Sequence, residues 1–395
     1  MTNPLSLGEK NVTFNFKNHR YLVSTWSLEG ARMSHYDPGQ VPFLTQVMVR
    51  VPWAAYSGGM MEQTDFPQQC VIELTAACDQ SCIHCGRNYM ERPKKTMTSE
   101  MFQRIVTEIG RENPDCEVWP TFMGEALLLG KRLFPLIAFA REAGCRKITL
   151  NSNGNRLTEE NIEGLLSCGL DRFIVSCDGH SAETYERIRI GGQFARLYEG
   201  IHRLLERMQL ARLERPLIEL QFSIFHENEH EVEDFKKYWL DQGVVVKSRP
   251  KVFWSGLVPG GGHRVSTSAE RTPCLWAFDT AAIQCNGNVV MCAIDCDGKY
   301  VAGNITQQSL KQIWNGPLRW LRHLHSQRRF RELPEICRRC TDWEVKKAHA
   351  FFPNDKIRHQ YEEYVRRGRV FFESHTLAPS DLTTNFTVDG AVRVH

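Results

Sequence analysis

Three cysteines in "ELTAACDQSCIHCGRN" (residues 73–88) stand four and three apart, as Cys78, Cys82 and Cys85. Thiolates at that spacing on one loop can close on one face of a metal cube, and cysteine is the usual ligand of a 4Fe–4S cluster. Three ligands on four irons leave one iron with an open position, which a catalyst needs and a purely structural site avoids. Zinc is the alternative, with His84 as fourth ligand, but His84 adjoins Cys85 and both would have to reach one ion from neighbouring positions. A second set follows. "CLWAFDTAAIQCNGNVVMC" (274–292) carries Cys274 and Cys292 at the outer ends of two strand-like runs joined by the hairpin signal "NGNV" (286–289), and "PEICRRC" adds Cys337 and Cys340. Four cysteines are enough to close one metal site completely, and on spacing alone a zinc ribbon is the alternative.

The elements that must position these residues are legible in a β–α rhythm from about 70 to 250. Strand-like runs are "CVIELTA" (70–76), "EVWPTFM" (117–123), "KITLNSN" (147–153), "RFIVSCD" (172–178), "LIELQFSIF" (217–225) and "VVVKSRP" (244–250). Amphipathic stretches lie between them, with Thr98 and Thr158 as N-caps and Gly144 and Gly169 as stops. Parallel strands need crossover helices, so six such repeats predict an α/β fold, a partial (β/α)6 barrel. A small β-hairpin-plus-helix cluster-binding domain follows, its helix read in "SLKQIWNGPLRWLRHLH". The expected boundaries are an N-terminal mixed segment of short strands and loops (1–69), the barrel (70–250), a Gly/Ser/Pro-rich linker (251–273), the second cysteine unit (274–343), and a C-terminal helix and tail (344–395). The first cysteine loop sits at the carboxyl end of the first strand, where barrels of β–α units carry their chemistry.

The bulk composition excludes several function classes. The 395 residues hold 49 basic and 46 acidic side chains, a net charge of +3 without long like-charged blocks, so no nucleic-acid partner is implied. There is no signal-peptide pattern at the start and no run of about 18 apolar residues, so no membrane span is expected. The sequons at Asn11, Asn304 and Asn385 then read as chance matches, and the 14 cysteines read as metal or redox residues rather than secreted disulfides. Cys70, Cys116, Cys145, Cys168, Cys177, Cys285 and Cys296 read by default as small buried residues.

The CxxxCxxC triplet after the first strand resembles the radical S-adenosylmethionine (SAM) superfamily. The resemblance extends to "FMGEALLLG" (122–130), similar to the family's Gly-Glu motif, to "NSNG" (151–154) and to "SCDG" (176–179), all at strand ends. It implies a SAM-binding 4Fe–4S cluster on Cys78, Cys82 and Cys85, with SAM completing the open iron. Gly124 would let the backbone approach SAM, and Glu125 would accept from its ammonium group. Ser152, Asn153, Ser176 and Asp178 would line the rest of the SAM site, the last two near the ribose. The sequence departs from the usual Gly-Gly-Glu-Pro with Met123-Gly124-Glu125-Ala126, and from the usual aromatic residue with His84, which is planar and can still pack near the adenine. "NGNVVMC", "GNI", "SLKQIWN" and "CRRC" resemble SPASM/twitch extensions, implying an auxiliary 4Fe–4S cluster on Cys274, Cys292, Cys337 and Cys340. No cysteine follows Cys340, which points to the shorter twitch form with one auxiliary cluster.

The resemblance implies an oxidoreductase that cleaves SAM to a 5′-deoxyadenosyl radical, takes a hydrogen atom from substrate, and passes the remaining electron to the auxiliary cluster. The nearest resemblance is to twitch-bearing dehydrogenases, so a small polyol or sugar-like substrate ranks first. A peptide maturase with a leader-binding module in 1–69 ranks next. An epimerase using Cys285 or Cys296 as hydrogen donor, and a cluster-binding protein without turnover, complete the field. An external electron donor such as flavodoxin or ferredoxin and a reducing cytoplasm follow from the same resemblance.

Overall fold

The computed structural model describes residues 7–16, 19–28, 64–259, 271–344 and 348–366. The remaining parts of the N-terminal segment, most of the linker and the C-terminal tail lie outside the described residues. Two units are distinguished, 1–61 with 370–395, and 62–369. In the first, β1 (Leu7–Phe16) and β2 (His19–Leu28) pair antiparallel from Leu7↔Leu28 to Phe16↔His19. The two strand-like runs of the sequence, "NVTFNF" and "YLVSTW", thus belong to one hairpin of two ten-residue strands.

In the second unit the six anticipated strands all form and run parallel. They are β3 (Gln69–Ile72), β4 (Glu117–Trp119), β5 (Lys147–Ser152), β6 (Arg172–Ser176), β7 (Leu217–Ile224) and β8 (Val245–Pro250), paired in that order. Their crossovers are α1 (Ser99–Glu112), α2 (Leu133–Glu142), α3 (Glu159–Ser167), α4 (Ala182–Ile188) with α5 (Phe194–Leu210), and α6 (Val232–Asp241). Thr98 caps α1 by accepting the Met101 N–H, and Thr158 caps α3 by accepting from Asn161. α1 buries Phe102, Ile105, Val106 and Ile109 at helical spacing against the sheet, each contributing about 1.5–3 kcal/mol of apolar burial. β6 is buried along its whole length, as a strand covered on both faces must be.

The second cysteine unit extends this same sheet. After α7 (Leu275–Asp279), β9 (Thr280–Ile283) pairs parallel with β3, and β10 (Asn288–Val290) and β11 (Val301–Asn304) continue outward antiparallel. The "NGNV" turn forms between β9 and β10. Cys274, however, caps the N-terminus of α7 rather than ending a strand. The single helix expected in 309–325 is two: α8 (Leu310–Asn315) and α9 (Pro317–Ser326). Gly316 stops the first and Pro317, lacking an N–H, starts the second. α10 (Glu335–Arg339) carries Cys337 and ends at its C-cap Cys340, β12 (His349–Phe351) adds antiparallel to β8, and α11 (Asp355–Arg366) follows.

α11 packs at the amino-terminal ends of the barrel strands. There Arg172 is buried between Glu117 at 2.8 Å and Glu219 at 3.2 Å, with the Tyr361 hydroxyl at 3.3 Å. The Tyr364 hydroxyl is 2.6 Å from Thr149 Oγ1. This buried polar floor closes the amino-terminal end of the strands.

Candidate active site

The loop after β3 carries Cys78, Cys82 and Cys85 and is held by its own carbonyls. Arg87 is buried and donates to three of them: Ala76 O at 2.9 Å, Cys78 O at 3.3 Å and Gln80 O at 3.4 Å. Asn88 donates to Cys82 O at 2.8 Å, and the Ser81 and Ile83 N–H groups bond to the carbonyls of Ile190 and Ile188. With the backbone fixed, the three thiols lie within electrostatic reach of one another. The thiols form no disulfide. Burial pushes Cys78 and Cys82 up to about 11 and Cys85 upward, and each thiol raises a neighbour's further. The Gln80 N–H points at Cys78 Sγ from 3.5 Å, the kind of hydrogen bond that tunes cluster thiolates.

Glu125 sits beside this loop and is almost fully buried. Its Oε1 accepts from Leu127 N–H and the Ser152 hydroxyl, both at 2.9 Å, and its Oε2 accepts from Asn153 N–H at 2.7 Å. Among the described residues no cation pairs with it, and burial lifts its carboxyl to about 7. Gly124 is forced by packing: a Cβ there would lie 2.0 Å from Thr75 O and 2.6 Å from Ala77 O. The glycine lets this turn seat against the strand leading into the cysteine loop, and Glu125 N–H bonds Ala77 O at 2.8 Å. Asn153 spans to the cysteine loop, its Nδ2 2.9 Å from Asp79 Oδ1 and 3.7 Å from Cys78 Sγ.

Ser176 and Asp178 end the next strand. Ser176 donates to Asn151 Oδ1 at 3.4 Å. Asp178 is fully buried in the left-handed region at φ 53°, a conformation Asp tolerates better than most residues. Its Oδ2 takes Arg189 Nη2 at 2.5 Å and faces His84 Nε2 at 3.4 Å, and its Oδ1 accepts Ser223 N–H at 2.6 Å. Both oxygens are therefore engaged within the protein. The Arg189 charge, with these hydrogen bonds, holds Asp178 below the usual carboxylate range despite its burial. Arg189 Nη1 lies 3.9 Å from Cys82 Sγ, so this ion pair backs the cysteine loop. His84 packs on Phe225 at 5.1 Å.

The second set comes together as well. The Cys292 thiol is pushed upward by burial and then by Cys274, Cys337 and Cys340. Ile294 N–H points to Cys292 Sγ at 3.5 Å and Asp342 N–H to Cys340 Sγ at 3.2 Å. Cys285 and Cys296 are buried outside this set, Cys296 Sγ 3.9 Å from Gly86 O.

Four residues of the site carry no motif in the sequence. Asp79 gathers Asn153, Asn155 and Arg156; its position inside the triplet was the only signal. Arg87 is visible only through the fold, and Arg189, which the sequence places near a strand end, reads there as a structural or solvent-facing residue. Trp254 donates its Nε1–H to His84 O at 3.0 Å.

The donor sets fit the cofactors that the sequence suggested. Three unpaired thiols on a clamped loop suit a cluster with one open iron. The buried carboxylate of Glu125, lacking a cation, suits an ammonium group. Among the described residues no three His, Cys, Asp or Glu side chains are drawn together as ligands of one ion; cysteines on the corners of a cube stand farther apart than those on one zinc, with Zn–S bonds of about 2.3 Å.

Comparison with known proteins agrees. The family described as "Radical SAM superfamily" matches residues 72–238, and that described as "Iron-sulfur cluster-binding domain" (SPASM) matches 274–341. The AdoMet-dependent heme synthase of Methanosarcina barkeri (strain Fusaro / DSM 804) is 31% identical over 144 residues, 36% of this chain and 40% of that protein. The probable GTP 3′,8-cyclase of Methanothermobacter marburgensis is 26% identical over 179 residues, 45% of this chain and 55% of that protein. The chain thus spans about half the length of the curated relatives it matches, or less. Among solved structures, BtrN in complex with AdoMet and 2-DOIA superposes with a TM-score of 0.51 at 18% identity, over 71% of this chain and 96% of that one. Streptococcus suis SuiB bound to precursor peptide SuiA gives 0.53 at 12% identity, over 66% and 67%. At such identities these two likenesses speak for the fold alone. With the barrel and the second cysteine unit matched in order, residues 72–238 form a radical SAM domain and residues 274–341 a SPASM/twitch-type domain, which imply SAM, a SAM-binding 4Fe–4S cluster and auxiliary iron–sulfur chemistry.

Proposed function

We propose that this enzyme is an oxidoreductase that removes a hydrogen atom, then one electron and one proton, from a small polyol or sugar-like substrate at the barrel mouth, the electron going to the auxiliary cluster and the proton to solvent. Cys78, Cys82 and Cys85 would hold the cluster and Glu125 the SAM ammonium, while Cys274, Cys292, Cys337 and Cys340 would hold an auxiliary 4Fe–4S cluster. When bound, SAM and the first cluster supply a carbon radical able to take a hydrogen atom from an unreactive C–H bond, and the second cluster supplies an electron acceptor. The protein's own part is positional. Arg87 fixes the cysteine loop, and Ser152 and Asn153 aim Glu125. The Asp178–Arg189 pair supports Cys82, and Ser176 with Asn151 offers the polar edge for a ribose. An external one-electron donor of the flavodoxin or ferredoxin kind completes the cycle, and an oxygen-sensitive open cluster supports a reducing cytoplasm. Among the described residues no helix is long and apolar enough to cross a membrane.

The observation that carries the oxidation reading is the tie between the two cysteine sets. β3 and β9, which lead into the two units, are parallel neighbours, Gln69–Ile72 against Thr280–Ile283. Trp254 bonds the first cysteine loop, while its neighbour Ser255 donates to Ile336 O at 2.6 Å and gives its N–H to Asp342 at 2.9 Å, beside Cys337 and Cys340. An acceptor close to the radical favours electron removal over redox-neutral release. The first test is 5′-deoxyadenosine release by anaerobic, reduced, reconstituted protein. Release is expected, and its absence with intact clusters would overturn the catalytic reading.

A peptide substrate is the second reading. The β1–β2 hairpin presents ten-residue strands, and exposed strand edges bind extended peptides by main-chain pairing. Oxidised product from a polyol panel, with none from peptides, decides for the first.

A further inference from the structure

Arg249 ends β8 at the barrel mouth, in register with Ser223 on β7. Its Nε donates to Ser223 Oγ at 3.3 Å, and among the described residues its two Nη groups meet no protein acceptor. The guanidinium is permanently charged and half-buried, and neither Nη is among the buried atoms that lack a partner, so the fork is reachable from the mouth. The three carboxylates that act most strongly on it are already committed. Asp178 is taken by Arg189 and by Ser223 N–H. Asp342 accepts from Phe253 N–H at 2.6 Å and Ser255 N–H at 2.9 Å. Glu219 faces Arg172 and Lys247 on the floor. Burial lowers the Arg249 pKa from its ordinary value, with Arg189 adding to the effect and the three acids opposing it.

A second cation stands two residues on. Lys251 is nearly buried, its Nζ 5.9 Å from the Phe225 ring centre and 5.7 Å from that of Phe253. His84, between two cysteines of the loop, is within electrostatic reach of Arg189, Arg249 and Lys251 together. The mouth beside the cysteine loop therefore gathers three positive charges, with Asp178 among them engaged by Arg189. A guanidinium with both Nη groups open presents the fork that matches a carboxylate or phosphate with two parallel hydrogen bonds.

We propose that Arg249, with Lys251 beside it, binds an oxyanion of the substrate, so that the polyol or sugar-like molecule oxidised here carries a carboxylate or phosphate group. This rests on the reading of the barrel mouth as the place where substrate meets SAM. Anchoring one end of the substrate on β8 would fix which C–H bond faces the cysteine loop. Phe225 and Phe253 flank the cations and lower the local polarity, which strengthens the ion pair.

The test measures binding rather than turnover. Anaerobically reconstituted full-length protein is titrated with inorganic phosphate as probe, and separately with SAM, for wild type, Arg249→Gln, Arg249→Lys and Lys251→Gln. Iron content and a melting curve establish that each variant is folded. If Arg249→Gln does not accumulate, Lys251→Gln carries the comparison. Phosphate is expected to bind wild type in a salt-sensitive manner and to bind Arg249→Gln about tenfold or more weakly, with Arg249→Lys in between. SAM affinity should change far less than phosphate affinity. Absence of phosphate binding to wild type, or equal binding to the Gln variants, overturns the proposal. A tenfold loss of SAM affinity in Arg249→Gln with phosphate unchanged also overturns it, assigning the fork to the carboxylate of SAM. Because no 5′-deoxyadenosine is measured, a protein that binds phosphate at Arg249 yet never cleaves SAM would sink the radical reading and leave this one standing.

Discussion

The indole N–H of Trp254 donates to the main-chain oxygen of His84 at 3.0 Å, although 170 residues separate them. The bond fastens the segment after the last barrel strand to the loop between Cys82 and Cys85. The same ring fills the space over Gly86, where a Cβ would fall 2.7 Å from Trp254 Cδ2. Trp254 and Ser255 both have positive φ, 53° and 55°, a conformation that costs about 1–3 kcal/mol per residue and is held by Asp342. Trp254→Phe should lose the hydrogen bond, about 1 kcal/mol. Gly86→Ala should lose about 1–3 kcal/mol by overpacking. Denaturant midpoints check both, and no change in Gly86→Ala would mean the ring yields freely.

Iron content separates the two cysteine sets. Wild type should hold about eight irons after anaerobic reconstitution, and Cys274→Ala/Cys292→Ala about four, since each cuboidal cluster carries four. About four in both proteins would make the second unit a zinc or structural cap, and redox-neutral chemistry would then move forward.

Glu125 gives a pH signature. Its carboxyl is raised from 4.5 to about 7, so the folded protein binds a proton more tightly here than the unfolded chain does. The contribution to stability is complete below pH 4.5 and is lost as pH rises through about 7. At about 1.4 kcal/mol per unit, wild type should fall relative to Glu125→Gln by a few kcal/mol across that window. Parallel pH–stability curves would contradict the burial argument. Bound SAM, bringing a cation to the carboxylate, should abolish the difference in slope.

How much of this was legible in the sequence depended on the range of the interaction. The six strands and their caps were readable because periodicity and capping are local: Thr98 and Thr158 cap the helices their spacing implied. The cysteines were readable because side-chain type and spacing suffice for ligands. The second unit was only partly readable. The break at Gly316–Pro317 was written in two residues but masked by apolar periodicity on either side. The parallel pairing of β9 with β3 joins positions with no shared local signal. Asp178 shows the limit best: its place at a strand end was clear, but its commitment to Arg189 and Ser223 depends on two further elements. Arg249 and Trp254 have no motif, and only the fold makes them neighbours of the cysteine loop.

The barrel floor offers a stability test far from the chemistry. Arg172→Met removes the cation between Glu117 and Glu219 and leaves two buried carboxylates facing each other. Breaking a buried pair from one side costs about 3–5 kcal/mol. The loss should be seen in the melting temperature, while Arg172→Met/Glu117→Gln/Glu219→Gln recovers part of it. A single variant as stable as wild type would mean water reaches the floor.

The parallel seam between β3 and β9 also sets a timetable for biosynthesis. Thr280 Oγ1 donates to Gln69 Oε1 across 211 positions of chain. At roughly 5–20 residues per second, the ribosome delivers β9 some 10–40 s after β3. During that interval the strand that leads into the SAM-cluster loop has one neighbour and one bare edge, the exposed ladder that invites mispairing with other chains. A nascent chain stalled before residue 283 would carry the first three cysteines on a sheet margin, and this makes the middle of translation the period when chaperones and iron donors have most to protect.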